Sequence, residues 1–483
     1  MLTREDALAI YHAGPEVVVQ VLLEMDARIH AVAQRLQAGE QRIKQLEDRL
    51  ATNSRNSSNP PSTDGLKRPK PRSLRKKSGR RSGGQPGHPG HTLQRVDKPD
   101  HTECHRVERC SACGRSLASQ PPVSVESRQV HELPPRQMIV TQHQAEQKRC
   151  SCGHVNKAAF PEGVNAPVQY GPQIKALAVY LNQQQLLPYE RTCELLGELL
   201  GCPISQGTLA NIIAHCHEDI EAPVEQIKKQ VTQAPVAHFD ETGSRVDKKL
   251  WWLHSASTAH ATYYDIHPKR GTEAMNAIDI LPGFAGRAIH DAWRPYLTYE
   301  CDHGLCNAHH LRELTFVHER HDQQWSGEMK HLLQEIKKAV DQARPTTGHL
   351  TQARIKDFEN GYQRILDDGY AANPLPVPPP TKKRGRPKKT KPRNLLERLD
   401  KHRDQILVFM KDFSVPFDNN LAERDIRMMK VQQKISGPFR TQHGAQAFCR
   451  IRSYISTARK NAIGALDALT RVFAGNPFVP GPV

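Results

Sequence analysis

No stretch of the 483 residues approaches the roughly 18 consecutive apolar residues that a membrane span requires, and the mean hydropathy of −0.65 excludes a membrane-embedded class. The opening residues MLTREDALAIYHAG lack the basic and apolar regions of an export signal, so a cytoplasmic, nucleoid-associated location is expected, with no membrane partner. No Gly-rich phosphate loop occurs, which leaves nucleotide hydrolysis without support. Acidic residues are missing altogether from two segments, 66–81 and 382–393. These hold nine and eight Lys/Arg, the whole of the net surplus of +17. The eleven cysteines are odd in number and fall partly in short-range pairs, which without an export signal reads as reduced thiols with a metal site rather than a disulfide framework.

Concentrated cations flanked by Pro, Gly and Ser cannot bury a core, so both basic segments are expected to be flexible arms that exchange counterions with a polyanion. Candidate DNA contacts are Lys67, Arg68, Arg75, Lys76, Lys77, Arg80 and Arg81 in the first. The second offers Arg384 and Arg386, the latter in a Gly385-Arg386-Pro387 core that resembles an AT-hook for the narrow minor groove.

Before the first arm, Leu22, Met25, Ile29, Val32, Leu36, Ile43, Leu46 and Leu50 follow a 3,4 spacing interrupted at Gly39. This is a coiled-coil seam suited to pairing two chains, so a homo-oligomer of at least two copies is expected. After the arm, Cys110-x-x-Cys113 and Cys150-x-Cys152 present two thiol pairs on tight turns, a zinc-ribbon-like arrangement for one structural Zn²⁺. A helical pattern then runs from 171 to 222. Ser205 is placed to cap its last helix after a short Gly-containing turn, which gives a helix-turn-helix with Gln206 and Asn211 free to meet base edges.

From residue 236 the period changes. VAHFDE, KKLWWLHSAST, ATYYDIHP, GTEAMNAIDIL and GRAIHD read as strand, strand, strand, helix, strand, the order of a ribonuclease-H-like fold. Its first and fourth strands are parallel neighbours, so Asp240 and Asp291 are expected to meet at their carboxyl ends. Carboxylates held that close repel unless cations bridge them, and hard oxygen donors suit Mg²⁺ or Mn²⁺. Two such ions catalyse phosphodiester transfer. Glu423, early in the basic helix NNLAERDIRMMKVQQK, is the third carboxylate, with Arg427, Lys430 and Lys434 following on the same face as phosphate contacts.

The stretches NSSNPPSTDG, GGQPGHPGH, CSACG, ISQGTLANI, HFDETG, KLWWLHSAST, HDAWRPY, LCNAHHLREL, NNLAERDIR, KISGPFRT and IRSYISTARKN, in that order, resemble the transposase of the insertion sequence sixty-six family, a bacterial DDE transposase. The resemblance implies a ribonuclease-H-like core with a helical insertion between the second Asp and the Glu, the metal-binding triad Asp240, Asp291 and Glu423, and small accessory proteins of the same element. Cys306-Asn-Ala-His309 is similar to a Cys-x-x-His motif that several DDE families carry. With no further ligands visible in the sequence it reads as a packed cysteine and a histidine beside the active site.

The expectation is therefore a multidomain α+β protein. Its parts are an N-terminal helix and coiled coil (1–50), a basic linker (51–98), a zinc-ribbon-like domain (99–165), a helix-turn-helix domain (166–230), an α/β catalytic core (231–309 and 401–483) and a helical insertion with an AT-hook-like linker (310–400). The function implied is a transposase that cleaves double-stranded element ends and joins 3′-hydroxyls to target DNA. An inactive copy that only binds DNA, and a nuclease of the same fold without strand transfer, are the competing readings. All three carboxylates are present, which favours the enzyme.

Overall fold

The computed structural model describes residues 3–57, 64, 93–132, 138–375 and 389–481. The chain divides into two units, one formed by Met1–Pro71, Ala159–Cys193 and Ser205–Val483, the other by Arg72–Ala158 and Glu194–Ile204.

The first unit begins with α1 (Arg4–His12), started by a Thr3/Asp6 capping box, and α2 (Pro15–Ala51), a continuous 37-residue helix that runs through Gly39. Every member of the apolar stripe from Leu22 to Leu50 is exposed. The end of α2 is tied down. Asp48 is buried and lies 3.5 Å from His321 and 3.7 Å from Lys391, and just beyond the helix Arg55 pairs with Glu319 at 2.7 Å. Residues 53–57 form a turn in which the Asn56 side chain accepts the Asn53 N–H at 2.8 Å, so the start of the expected linker is built structure.

The second unit holds the short antiparallel pair β1 (Gln147–Arg149) and β2 (Val155–Lys157). α3 (Pro172–Val179), α5 (Gln206–Asp219) and α6 (Glu221–Thr232) belong to the first unit, and α4 (Tyr189–Leu200) passes from the first into the second at Glu194. Ser205 caps α5 as its sequence predicts, accepting from the Thr208 N–H at 3.1 Å, and α5 buries Leu209, Ile212, Ile213 and Cys216.

The centre of the first unit is a five-stranded mixed sheet. Its strands are β3 (Val236–Val246), β4 (Lys249–Ser257), β5 (Thr262–His267), then after α7 (Thr272–Ile278) β6 (Arg287–His290) and β7 (Asp302–Leu305), in the order β5-β4-β3-β6-β7. The first three form an antiparallel meander, and β3–β6 and β6–β7 are parallel. Asp247 and Lys248, both with positive φ (46° and 62°), make the two-residue β3–β4 connection, the geometry that matches strand twist in a tight hairpin. β3 is longer than its apolar start suggests. TGSRV continues it by pairing with KLWWL, so Asp240 lies in mid-strand rather than at its end. The parallel β3–β6 register nevertheless stops at His238↔Ile289, so Asp240 and Asp291 both lie just past it.

After β7 come α8 (Asn307–His321), α9 (Gln324–Ala343), α10 (Gln352–Ala372), α11 (Lys391–Lys401) and α12 (Arg403–Lys411). They share one apolar core with β6 and β7, in which Met329, Leu333, Tyr362 and Leu396 are fully buried beside Ile289 and Leu305. Part of the second basic segment is folded into it. Lys389 and Arg393 both pair with Glu397, and Arg393 also donates to the Asn373 carbonyl at 2.8 Å. α13 (Asn420–Ile435) packs on β3 and β4 and α14 (Gln442–Lys460) on β5, with α15 (Ala465–Phe473) following. Leu253, Tyr264, Ile266, Met429 and Phe448 fill that interface.

Gly286 opens β6 where the backbone crosses the end of α6. A Cβ there would lie 2.8 Å from the Pro235 carbonyl oxygen and closer still to that of Ala234. Gly286→Ala is expected to lower stability by about 1–3 kcal/mol through overpacking against backbone that cannot yield, read as a lower melting temperature with the fold retained by circular dichroism.

Candidate functional site

Three elements far apart in the chain bring Asp240 (β3), Asp291 (after β6) and Glu423 (first turn of α13) within mutual electrostatic reach. Burial holds the Asp240 carboxyl well above the usual range, and the charges of Glu241, Asp291 and Glu423 push it further the same way. Glu423 is raised by burial too, against the pull of Arg312 and Arg427, and its Oε1 is buried with no hydrogen-bond partner among the described residues. Asp291 is shaped by its backbone. Its Oδ1 accepts the Trp293 N–H at 2.9 Å around Ala292, whose φ is 67°.

Several residues that set this geometry carried no signal as single letters. Asn419, the residue before α13, donates from Nδ2 to the Phe239 carbonyl (2.8 Å), contacts His238 Nδ1 through Oδ1 (2.8 Å) and gives its backbone N–H to Cys306 Sγ (3.2 Å). It fastens the start of the Glu423 helix to the strand bearing Asp240. Two residues beyond Glu423, Asp425 points into the sheet face, where it accepts from Ser257 (2.8 Å), Thr262 (3.0 Å) and Lys460 (2.7 Å). Glu241, next to Asp240, is held by the Arg270 guanidinium (2.7 Å) and the Tyr296 hydroxyl, while its charge still acts on Asp240 and that of Asp291 acts on it. Arg270 itself lies over the rings of Trp252 (4.7 Å) and Trp293 (4.1 Å). The adjacent acids of HFDETG hint at Glu241; nothing local marks Arg270.

A cleft of about 230 Å³ opens beside Asp291, lined by Trp293, Arg294, His309, Glu313 and Arg398 among others. Cys306 caps α8, and one ligand atom from each of Cys306, His309 and Glu423 falls within a 4.8 Å cluster. The ligand atoms of Asp240 and Asp291 are not part of it.

Of the expected DNA contacts, Gln206, Asn211, Arg427 and Lys434 are exposed, while Lys430 is half-buried and donates from Nζ to the Gly243 carbonyl at 2.6 Å. Lys67, Arg68, Arg75, Lys76, Lys77, Arg80, Arg81, Arg384 and Arg386 lie outside the described residues. The two thiol pairs form closely similar turns. Cys110 N–H bonds to the Arg115 carbonyl and Cys150 N–H to that of His154, and each turn ends in a glycine of positive φ, Gly114 or Gly153. The Cys110 thiol is lowered by the Cys113 and Ala112 N–H groups, and Cys150 by the Cys152 N–H. Such donors favour a thiolate. The four sulfurs are not drawn into one ligand cluster among the described residues.

Residues 167–447 match the Transposase IS66 family, residues 108–153 the zinc-finger binding domain of transposase IS66, and residues 15–94 a family of unknown function. No curated protein matches the chain. These matches define a transposase with a zinc-finger region. The first of them takes in more than half of the sequence, and the chain belongs to the Transposase IS66 family. No helix among the described residues is long and apolar enough to cross a membrane.

Crowded carboxylates lower stability. The folded chain holds the Asp240 proton to higher pH than the unfolded chain does, so folding becomes less favourable as pH rises past the ordinary carboxylate range. Asp240→Asn removes that penalty. Its melting temperature at pH 8 without added divalent cations should exceed that of the parent by a few degrees, and the gap should close on acidification to about pH 4. Asp425→Asn should act oppositely, costing about 3 kcal/mol because it leaves the buried Lys460 charge without a counter-ion, held only by the Thr258 and Ala261 carbonyls.

Proposed function

We propose that the chain is a DNA transposase that binds element ends, cleaves their phosphodiester bonds and joins the 3′-hydroxyls to target DNA, with Asp240, Asp291 and Glu423 as its catalytic carboxylates. The observation that carries this reading is the convergence of these three carboxylates, each raising the Asp240 pKa or sharing its surroundings, at a point where parallel strands part. The strand order β5-β4-β3-β6-β7, with its antiparallel meander and two parallel additions, supports a ribonuclease-H-like core carrying α8–α12 as the insertion.

The residues suit divalent cations. They are hard oxygen donors, their charges oppose one another, and Glu423 Oε1 has no partner among the described residues. A pair of Mg²⁺ or Mn²⁺ ions held there would supply activation of the attacking water or 3′-hydroxyl and stabilisation of the leaving oxygen. The protein's own part is placement. Asn419 sets the pitch of Glu423 against β3, and the Asx turn at Asp291 aims its free oxygen. The Arg270 clamp and the Tyr296 hydroxyl occupy Glu241, which leaves Asp240 as the acid of the HFDET pair without a cation partner. Arg427 and Lys434, exposed on α13, contact DNA phosphates, with Gln206 and Asn211 of a helix-turn-helix at base edges. Lys430 is committed to the Gly243 carbonyl and orients α13 on the sheet.

Supercoiled donor DNA bearing the element's ends, incubated with Mg²⁺ and target plasmid, should yield joined products. Replacing Asp240, Asp291 or Glu423 by Ala should abolish cleavage while end binding stays within a few-fold. Cleaved but never joined ends would assign a nuclease instead.

Structural zinc in the finger is proposed to bind Cys110, Cys113, Cys150 and Cys152, whose turns already direct N–H groups at the sulfurs of Cys110 and Cys150. Metal analysis of freshly reduced protein should find about one Zn²⁺ per chain, lost in a Cys110→Ser/Cys113→Ser variant.

The exposed apolar stripe of α2 supports self-association as a coiled coil of at least two chains, which brings two ends to two catalytic sites. Ile29→Lys with Ile43→Lys should dissociate the assembly by light scattering and abolish paired-end complexes, with single-end binding retained. A dimer that persists would assign assembly to another surface.

A further inference from the structure

The sequence shows a Cys-x-x-His pair with no further ligand, because the residue that completes it comes from a distant helix. Cys306 and His309 stand at the start of α8, and Glu423 in the first turn of α13 is brought against them, the three ligand atoms lying within 4.8 Å of one another. We propose that Cys306, His309 and Glu423 form a binding site for a borderline-soft divalent cation of the Zn²⁺ class, separate in chemistry from the all-carboxylate set.

Three features support it. The sulfur receives the backbone N–H of Asn419 at 3.2 Å, a donor that favours a metal-bound thiolate where burial otherwise keeps the thiol protonated. His309 Nδ1 and Glu423 Oε1 are both buried without a hydrogen-bond partner among the described residues, a costly state for polar atoms that a cation would relieve. Sulfur, imidazole nitrogen and one carboxylate oxygen form a mixed soft and hard set that Zn²⁺ or Co²⁺ accepts readily and Mg²⁺ does not. His309 also lines the cleft beside Asp291, which provides an entry path and leaves room for a solvent or substrate ligand in the fourth position.

Glu423 belongs to both sets, so occupancy of this site draws it away from Asp240 and Asp291. Zinc-class ions should then inhibit DNA cleavage. That consequence rests on the transposase reading; the site itself does not.

The test uses the full-length chain with its zinc-finger cysteines already loaded with Zn²⁺, titrated with Co²⁺ without oxygen. One equivalent should give a thiolate-to-cobalt charge-transfer band, absent in Cys306→Ser and requiring at least about tenfold more Co²⁺ in His309→Gln. Melting curves of both variants establish that they are folded, and His309→Gln keeps the test decisive should the buried Ser variant unfold. No band in the parent chain, or an unchanged titration in His309→Gln, overturns the site. In the cleavage assay, Zn²⁺ added over Mg²⁺ should suppress the parent at least about tenfold more than it suppresses Cys306→Ser, each relative to its own zinc-free rate. Equal suppression overturns the inhibitory role. A chain that binds Co²⁺ as described but never cleaves DNA would refute the transposase reading and leave the metal site standing.

Discussion

Like charges must be buried together here without collapsing or flying apart, and much of the surrounding architecture answers that constraint. Asp240, Asp291 and Glu423 cannot attract one another, so each is held by backbone and by neutral hydrogen bonds instead. The parallel β3–β6 pairing fixes the two aspartates to one layer, and Asn419, with three contacts to two different elements, fixes the glutamate helix to the same layer. Each device is uncharged. Directly paired cations would have neutralised the carboxylates and left nothing with which to hold the proposed metal ions.

The neighbouring acids show the contrast. Glu241 and Asp425 lie one and two residues from proposed ligands, yet both are tied to cations, Arg270 and Lys460. A mid-strand position sends successive side chains to opposite faces, and two positions along a helix turn a side chain through more than a half circle. A single strand and a single helix therefore carry both an open carboxylate and a satisfied one. The first is available for chemistry and the second holds the scaffold.

Much of this was legible in the sequence, for reasons that can be traced. Change of hydrophobic period located the meander, α7 and β6, and the Ser205 cap located α5. The short turns at Cys110 and Cys150 were visible because thiols at such spacing have no packing role in a polar segment. β7 escaped because DHGL is four residues long and half polar; it is a strand only because β6 offers it a parallel edge and Arg287 pairs with Asp302 at 2.8 Å. Asn419 and Arg270 escaped since their roles depend on contacts across the fold rather than on neighbours in the chain. The extension of β3 past Asp240 was hidden by TGS, a turn-like sequence that a long cross-strand partner holds straight.

The docked end of α2 has a mechanical meaning. At about 1.5 Å per residue, its 37 residues make a rod of roughly 55 Å. The rod is pinned near its carboxyl end, by Asp48 against His321 and Lys391 and by Arg55 against Glu319. A strut clamped at one end transmits torque where a loose tether would transmit only tension. Whatever grips the apolar stripe therefore pulls on α8 and α11, the helices that carry His309 and Arg398 to the rim of the cleft.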